Sequence, residues 1–257
     1  MAVIDTNLIV GTCPFRALAS DVEGVRVLRD KAGLDLGIAT GFDSLFYHDP
    51  VDGLARDLER FEPLSDWLRF YAVINPEFPQ LEQQIRHAAG NPRIAGLRLF
   101  PTLHHYPLDS DRVQTVLKLA GEANLPVNLT ARLLDGRVAP RYLHQGSPER
   151  AEVQQFLHTV GQTTVILSMF FFSELKLMAE DLRNAPGVRL DVGCSKPSVA
   201  TFDELACWFP PGRIVCGTGA PLYYWGGSRL EIQGSHLDRE QQEAILGNNA
   251  LELFAWT

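Results

Sequence analysis

Ala95-Gly96-Leu97-Arg98-Leu99-Phe100-Pro101 is the stretch on which the fold turns. A short apolar run, interrupted by one arginine and stopped by proline, reads as a strand that ends sharply, because proline brings no N–H to a ladder. Outward from it the same design recurs. Toward the N-terminus lie Phe70-Tyr71-Ala72-Val73-Ile74-Asn75, halted by Pro76, then Leu34-Asp35-Leu36-Gly37-Ile38-Ala39 and Val3-Ile4-Asp5-Thr6-Asn7. Toward the C-terminus lie Val127-Asn128-Leu129-Thr130, Val165-Ile166-Leu167-Ser168-Met169, Val188-Arg189-Leu190-Asp191-Val192 and Arg213-Ile214-Val215-Cys216-Gly217. Between these eight strands run segments with apolar residues at helical spacing, such as Leu81, Ile85 and Ala88, or Val113, Val116, Leu117 and Ala120. Strand and helix alternating eight times predict an α/β chain folded as one (β/α)8 TIM barrel domain over residues 1–257, an open flavodoxin-like sheet being the alternative. Long polar loops follow strands 2, 4 and 5 (residues 40–52, 101–111 and 131–148). In a barrel they share one face, the one that carries function.

Composition narrows the partners. The hydrophobic fraction is 46% and the charged fraction 21%, enough apolar material for a large core. With 31 acidic against 23 basic residues the net charge is −8, which disfavours nucleic acid and anionic lipid surfaces. No apolar run nears the ~20 residues of a membrane span. Met1-Ala2-Val3-Ile4-Asp5 lacks the basic head of a signal peptide, and Cys13, Cys194, Cys207 and Cys216 form no CxxC pair. A reduced, cytoplasmic protein is the expectation, with a homo-oligomer left open.

Four stretches carry a family resemblance. Asp5-Thr6-Asn7-Leu8-Ile9-Val10-Gly11 is similar to an opening strand written D-x-H-x-H-x-G, and Gly96-Leu97-Arg98-Leu99-Phe100-Pro101 to G-[VLI]-[KR]-[LI]-x-P. Gly217-Thr218-Gly219-Ala220-Pro221 resembles G-[ST]-D-x-P, and Ile245-Leu246-Gly247-Asn248-Asn249-Ala250-Leu251-Glu252-Leu253-Phe254 resembles I-L-x-x-N-A-x-x-L-[FL]. In this order they resemble the amidohydrolase-related (amidohydrolase 2) family of metal-dependent hydrolases. The resemblance implies a barrel with metal ligands at two strand-1 histidines, one histidine each on strands 5 and 6, and a strand-8 aspartate. Here those positions read Asn7, Ile9, Thr130, a residue near Met169, and Gly219. None keeps the family ligand, and isoleucine and glycine offer no donor at all. The expectation is therefore no metal and no other cofactor.

What remains is polar without being metal-binding. Alternation directs Asp5 and Asn7 of strand 1 inward, Arg98 and Phe100 of strand 4, and Asn128, Thr130 and Arg132 of strand 5. A buried arginine needs a carboxylate or an anionic ligand. Arg98 is read either as pairing with Asp5 or Asp191, or as clamping a substrate carboxylate. The candidate substrate-binding set is Asn7, Arg98, Tyr106, Thr130, Arg132 and Thr218. His105, beside the Tyr106 phenol, and Asp191 are the candidate catalytic groups. His104 competes with His105 for the pocket. Three readings follow: a metal-independent hydrolase or lactonase acting on or binding a small carboxylated molecule, a non-catalytic barrel serving as a ligand-binding or partner protein, and a metal enzyme with rebuilt ligands.

Overall fold

The computed structural model describes residues 2–143, 145–193 and 201–254. Cys194 lies outside them. The strands are β1 (Ile4–Val10), β2 (Leu36–Gly41), β3 (Leu68–Val73), β4 (Ile94–Leu99), β5 (Val127–Thr130), β6 (Val165–Ser168), β7 (Val188–Asp191) and β8 (Ile214–Val215). Each pairs in parallel with the next, in the order β1 to β8. Backbone bonds from Thr6 N to Cys216 O (2.8 Å) and from Gly219 N to Asn7 O (2.7 Å) tie the β8 segment back to β1. The single-domain TIM barrel expected from the sequence is thus the observed architecture.

The helices used below are α1 (Val22–Ala32), α2 (Phe42–Phe46), α3 (Pro50–Arg60), α4 (Leu81–Ala89), α5 (Pro101–His104), α6 (Asp111–Glu122), α7 (Arg150–Thr159) and α8 (Phe172–Leu177). Their starts and stops follow local chemistry. The Asp21 side chain accepts the Gly24 N–H at the start of α1, and Gly33 ends that helix at φ 59°, where a side chain would be strained. The Ser110 hydroxyl accepts the Val113 N–H to start α6. The predicted stripes of α4 and α6 are buried, packed with Leu97, Leu99, Val127, Leu129, Val165, Leu167, Val188 and Leu190 on the outer face of the barrel.

Inside the barrel three layers succeed one another. Ile4, Ile166 and Val215 meet Ala250 of the last helix, Asn249–Phe254, at the N-terminal end. A polar middle layer follows. Above it Ile9, Phe42, Val73, Phe100, Leu133 and Leu222 close the mouth as an apolar plug.

Two segments depart from the reading of their sequence. The loop of residues 40–52 is largely regular structure: Thr40 and Gly41 extend β2, and α2 and the start of α3 take all the rest but residues 47–49. The β8 ladder covers only Ile214 and Val215, because the chain then turns at Gly219 (φ 72°).

Candidate active site

The polar middle layer is built by alternation from six strands. Thr40 of β2, Arg98 of β4, Asn128 and Thr130 of β5, Ser168 of β6 and Asp191 of β7 converge with Asn7 of β1, and each is at most 5% exposed. The hydrogen bonds form two arms with one source and one sink. Arg98 Nη2 donates to Asn7 Oδ1 (2.8 Å), and Asn7 Nδ2 donates to Asp191 Oδ2 (2.9 Å). On the other side Arg98 Nε donates to Thr130 Oγ1, Thr130 to Asn128 Oδ1 and Asn128 Nδ2 to Ser168 Oγ, each at 2.8 Å. The Ser168 hydroxyl then donates to the same Asp191 oxygen. Arg98 Nη1 is spent on Thr40 Oγ1 (3.0 Å). Asp5 joins this layer by accepting the Thr218 hydroxyl (2.5 Å) and the Asn7 N–H (2.9 Å).

Burial governs the charges. It pushes Asp191 up to about 6, against the hydrogen bonds from Ser168 and Gly193 N. It raises Asp5 against the bonds from Thr218 and Asn7, and pulls Arg98 down to about 10. Arg98 is therefore charged at neutral pH, held over Tyr71 (5.7 Å) and Phe100 (4.9 Å). It makes neither of the direct ion pairs considered from the sequence: Asn7 stands between it and Asp191. Each guanidinium nitrogen already donates a hydrogen bond and Arg98 is fully buried, so it does not face solvent as a clamp for a substrate carboxylate.

The family's metal positions can be tested on this geometry. Asn7 and Thr130 are committed to Arg98, and Ile9 belongs to the plug. Met169 is buried, and a Cβ placed on Gly219 would stand 3.4 Å from its sulfur and 2.9 Å from the Tyr223 ring. No side chain fits at position 219. Among the described residues no three His, Cys, Asp or Glu side chains are grouped to hold a metal. The residues present do not fit a divalent metal.

Of the remaining candidates, His105 is exposed, in the left-handed region (φ 56°) at the end of α5. The one-turn helix that replaces the expected extended loop turns His104 inward instead, with Nε2 3.2 Å from Leu45 O. Burial lowers the His104 pKa, so its ring is neutral at pH 7. Tyr106 is buried in the core between barrel and helices, apart from the polar layer. Thr40 and Ser168 escaped the sequence reading, although each is a lone hydroxyl in a buried strand.

Arg132 occupies different ground. Its Nη1 donates to Met169 O (2.6 Å), its Nη2 to Ser147 Oγ (2.5 Å) and to Glu174, and its guanidinium lies 3.9 Å over the Phe171 ring. It forms the inner wall of a cavity of about 520 Å³ between the β5 and β6 loops, bounded by Asp135, Arg137, Ser147, Phe171 and Ser173. Tyr223 steadies this loop from the β8 side, its hydroxyl accepting the Asp135 N–H (2.7 Å). Arg137 binds both Asp135 oxygens and holds that carboxyl down at about 2. An NMR titration of Arg137→Gln is expected to return Asp135 toward the ordinary value of about 3.9; an unmoved Asp135 would show that Arg137 is not the cause.

Comparison with solved structures agrees with the architecture. A 5-carboxyvanillate decarboxylase from Sphingomonas paucimobilis superposes with a TM-score of 0.73 at 14% identity, over 100% of this chain and 99% of that one. A protein described as a probable 2-pyrone-4,6-dicarboxylic acid hydrolase from Acinetobacter baumannii, with citric acid bound, gives 0.67 at 16% over 100% of both chains. A Rhizobium 2,6-dihydroxybenzoate decarboxylase gives 0.71 at 12% over 99% and 98%. At these identities the likeness is one of fold. A search of curated proteins finds no sequence match. No described helix is long and apolar enough to cross a membrane. A family model described as amidohydrolase matches residues 58–256, so the chain belongs to the amidohydrolase family.

Proposed function

We propose that this chain is a metal-independent member of its family that binds a small carboxylated molecule on the C-terminal face, in the cavity between the β5 and β6 loops. The observation that carries this reading is the contrast between the two arginine sites. Arg98 is buried in the polar layer beneath the plug, whereas Arg132 and Arg137 flank a concave space of a size usual for small ligands. Arg132 is paired with Glu174 and Arg137 with Asp135, yet the largely exposed Arg137 guanidinium keeps N–H groups for a ligand carboxylate, and Phe171, Phe172 and Leu134 supply an apolar wall for the rest of it. The solved relatives named above carry small carboxylated compounds in their descriptions, which fits the same chemistry.

Binding is favoured over hydrolysis. One observation speaks for chemistry: Asp191, at about 6, titrates where a general acid or base works. Yet its oxygens accept from Asn7, Ser168 and Gly193 N beneath the plug, leaving no path to a substrate. In this reading Asn7, Arg98, Thr130, Thr218 and Asp191 hold the barrel together, and Arg132 alone of the sequence candidates meets the ligand.

Elemental analysis combined with thermal melts in benzoate, phthalate and citrate tests this. The expected result is far less than one transition metal per chain. At a hundredfold excess over Kd, one of the acids should add about 2.7 kcal/mol of stability, a rise of roughly 5–11 °C. Ser173→Trp, which fills the cavity from its rim, should abolish the rise. One tightly held zinc or manganese per chain, or melts that no acid shifts, would overturn the proposal.

A further inference from the structure

Gly11 follows the end of β1 and Gly41 ends β2, and a carboxylate from α3 is wedged against both. Asp57 is 0% exposed. A Cβ on Gly41 would stand 1.9 Å from its Cγ, so only glycine fits there. Asp57 Oδ2 accepts the Ser44 N–H (2.8 Å) and the Ser44 hydroxyl (2.6 Å), which pins α2 to α3. Helix α2 in turn carries Phe42 and Leu45 into the plug over the barrel mouth.

The other half of this contact is unfinished. Asp57 Oδ1 is buried without a protein partner, and so is Arg60 Nη1, while Arg60 Nη2 binds Asp43 (2.9 Å). Both orphaned atoms lie beside Gly11. The place a Gly11 Cβ would take lies 3.3 Å from Arg60 Nη1, 3.7 Å from Asp57 Oδ1 and 3.5 Å from the Phe42 backbone nitrogen. A group bound there must accept from a guanidinium and donate to a carboxylate. The guanidinium repels a metal cation and the carboxylate repels an anion. A water molecule between the two side-chain atoms, beside the bare Cα of Gly11, meets both demands.

We infer that Gly11, Asp57 and Arg60 form a binding site for one long-lived water molecule, which completes the polar bolt holding α2 over the barrel mouth. Such a water has the two or more polar partners that stable buried waters need, and it satisfies two charged groups whose burial is costly if left unmet. Gly11 has a φ of 98° as well, so its lack of a side chain serves both the turn and the water.

Water-oxygen-17 relaxation dispersion counts long-lived internal waters and reads the inference directly. Gly11→Ala puts a methyl group against the site, within 3.3 Å of Arg60 Nη1, and should lower the count by one. Gly33→Ala, also at positive φ (59°) but with nothing within 4 Å, should leave it unchanged. A high-resolution crystal structure of the wild-type protein keeps the test open if Gly11→Ala does not fold. Density for one water within hydrogen-bond distance of Asp57 Oδ1 and Arg60 Nη1 is the expected result. Direct contact between the two side chains with no water between them, or an unchanged count in Gly11→Ala, would overturn it.

Discussion

Replacing Arg98 with methionine is expected to lower the melting temperature by roughly 6–20 °C at neutral pH, the equivalent of about 3–5 kcal/mol. Methionine keeps most of the volume and removes the source of both hydrogen-bond arms. Asn7 Oδ1, Thr40 Oγ1 and Thr130 Oγ1 lose their donor, and Asp191 loses the cation that balances it. The pH dependence identifies the cause. Burial holds Asp191 in the fold at about 6, above its ordinary 3.8, so folding takes up a proton. That contribution is fully present below the ordinary value and is lost as pH rises through about 6. Removing Arg98 raises the carboxyl further. The mutant's deficit should therefore be largest at neutral pH and shrink near pH 5 as Asp191 becomes neutral. A mutant melting within about 2 °C of wild type, or equally weakened at both pH values, would refute the electrostatic account.

Restoring a family ligand should do harm rather than good. Gly219→Asp brings back the strand-8 carboxylate, but at φ 72° and with its Cβ 2.9 Å from the Tyr223 ring. Backbone strain and overpacking together should cost about 2–6 kcal/mol. Tyr223 would have to move, releasing the loop that it steadies through Asp135. The expected outcome is a protein that melts earlier, or does not fold, and gains no zinc on elemental analysis. A variant that melts like wild type and takes up about one zinc per chain would show that the metal site is lost by one residue only.

The parts of this molecule legible in its sequence are those set by short-range periodicity. Proline stops and alternating apolar residues located the strands, and the stripe Val113, Val116, Leu117 and Ala120 located α6. Alternation also brought Asn7, Arg98, Asn128 and Thr130 to one layer. What stayed hidden depends on partners distant in the chain. Five residues, Phe42–Phe46, are too few to make a helix by propensity; α2 exists because Asp57 caps Ser44 and the plug receives Phe42 and Leu45. Asp57 itself left a trace, as the one acidic residue on the buried stripe Pro50, Gly53, Leu54 and Asp57. The choice between His104 and His105 rested on a single helical turn that their spacing does not reveal. That Arg98 is sealed in and Arg132 faces a cavity depends on loops folding over the barrel.

The two arms from Arg98 to Asp191 have a consequence for how the barrel comes apart. Ladder bonds join each strand only to its neighbours, so a barrel held by them alone could fray one strand at a time. The arms instead span β1, β2, β4, β5, β6 and β7 through side chains inside the barrel. Detaching any of these strands breaks a circuit in which the others are held, and strands outside it lie between members of it. The amides of β1, β4, β5 and β6 should therefore exchange with solvent through one shared opening, at the free energy of global unfolding, while the loop of residues 131–148 exchanges far sooner. Exchange of these strands at separate free energies would show that the circuit does not bind them into one cooperative unit.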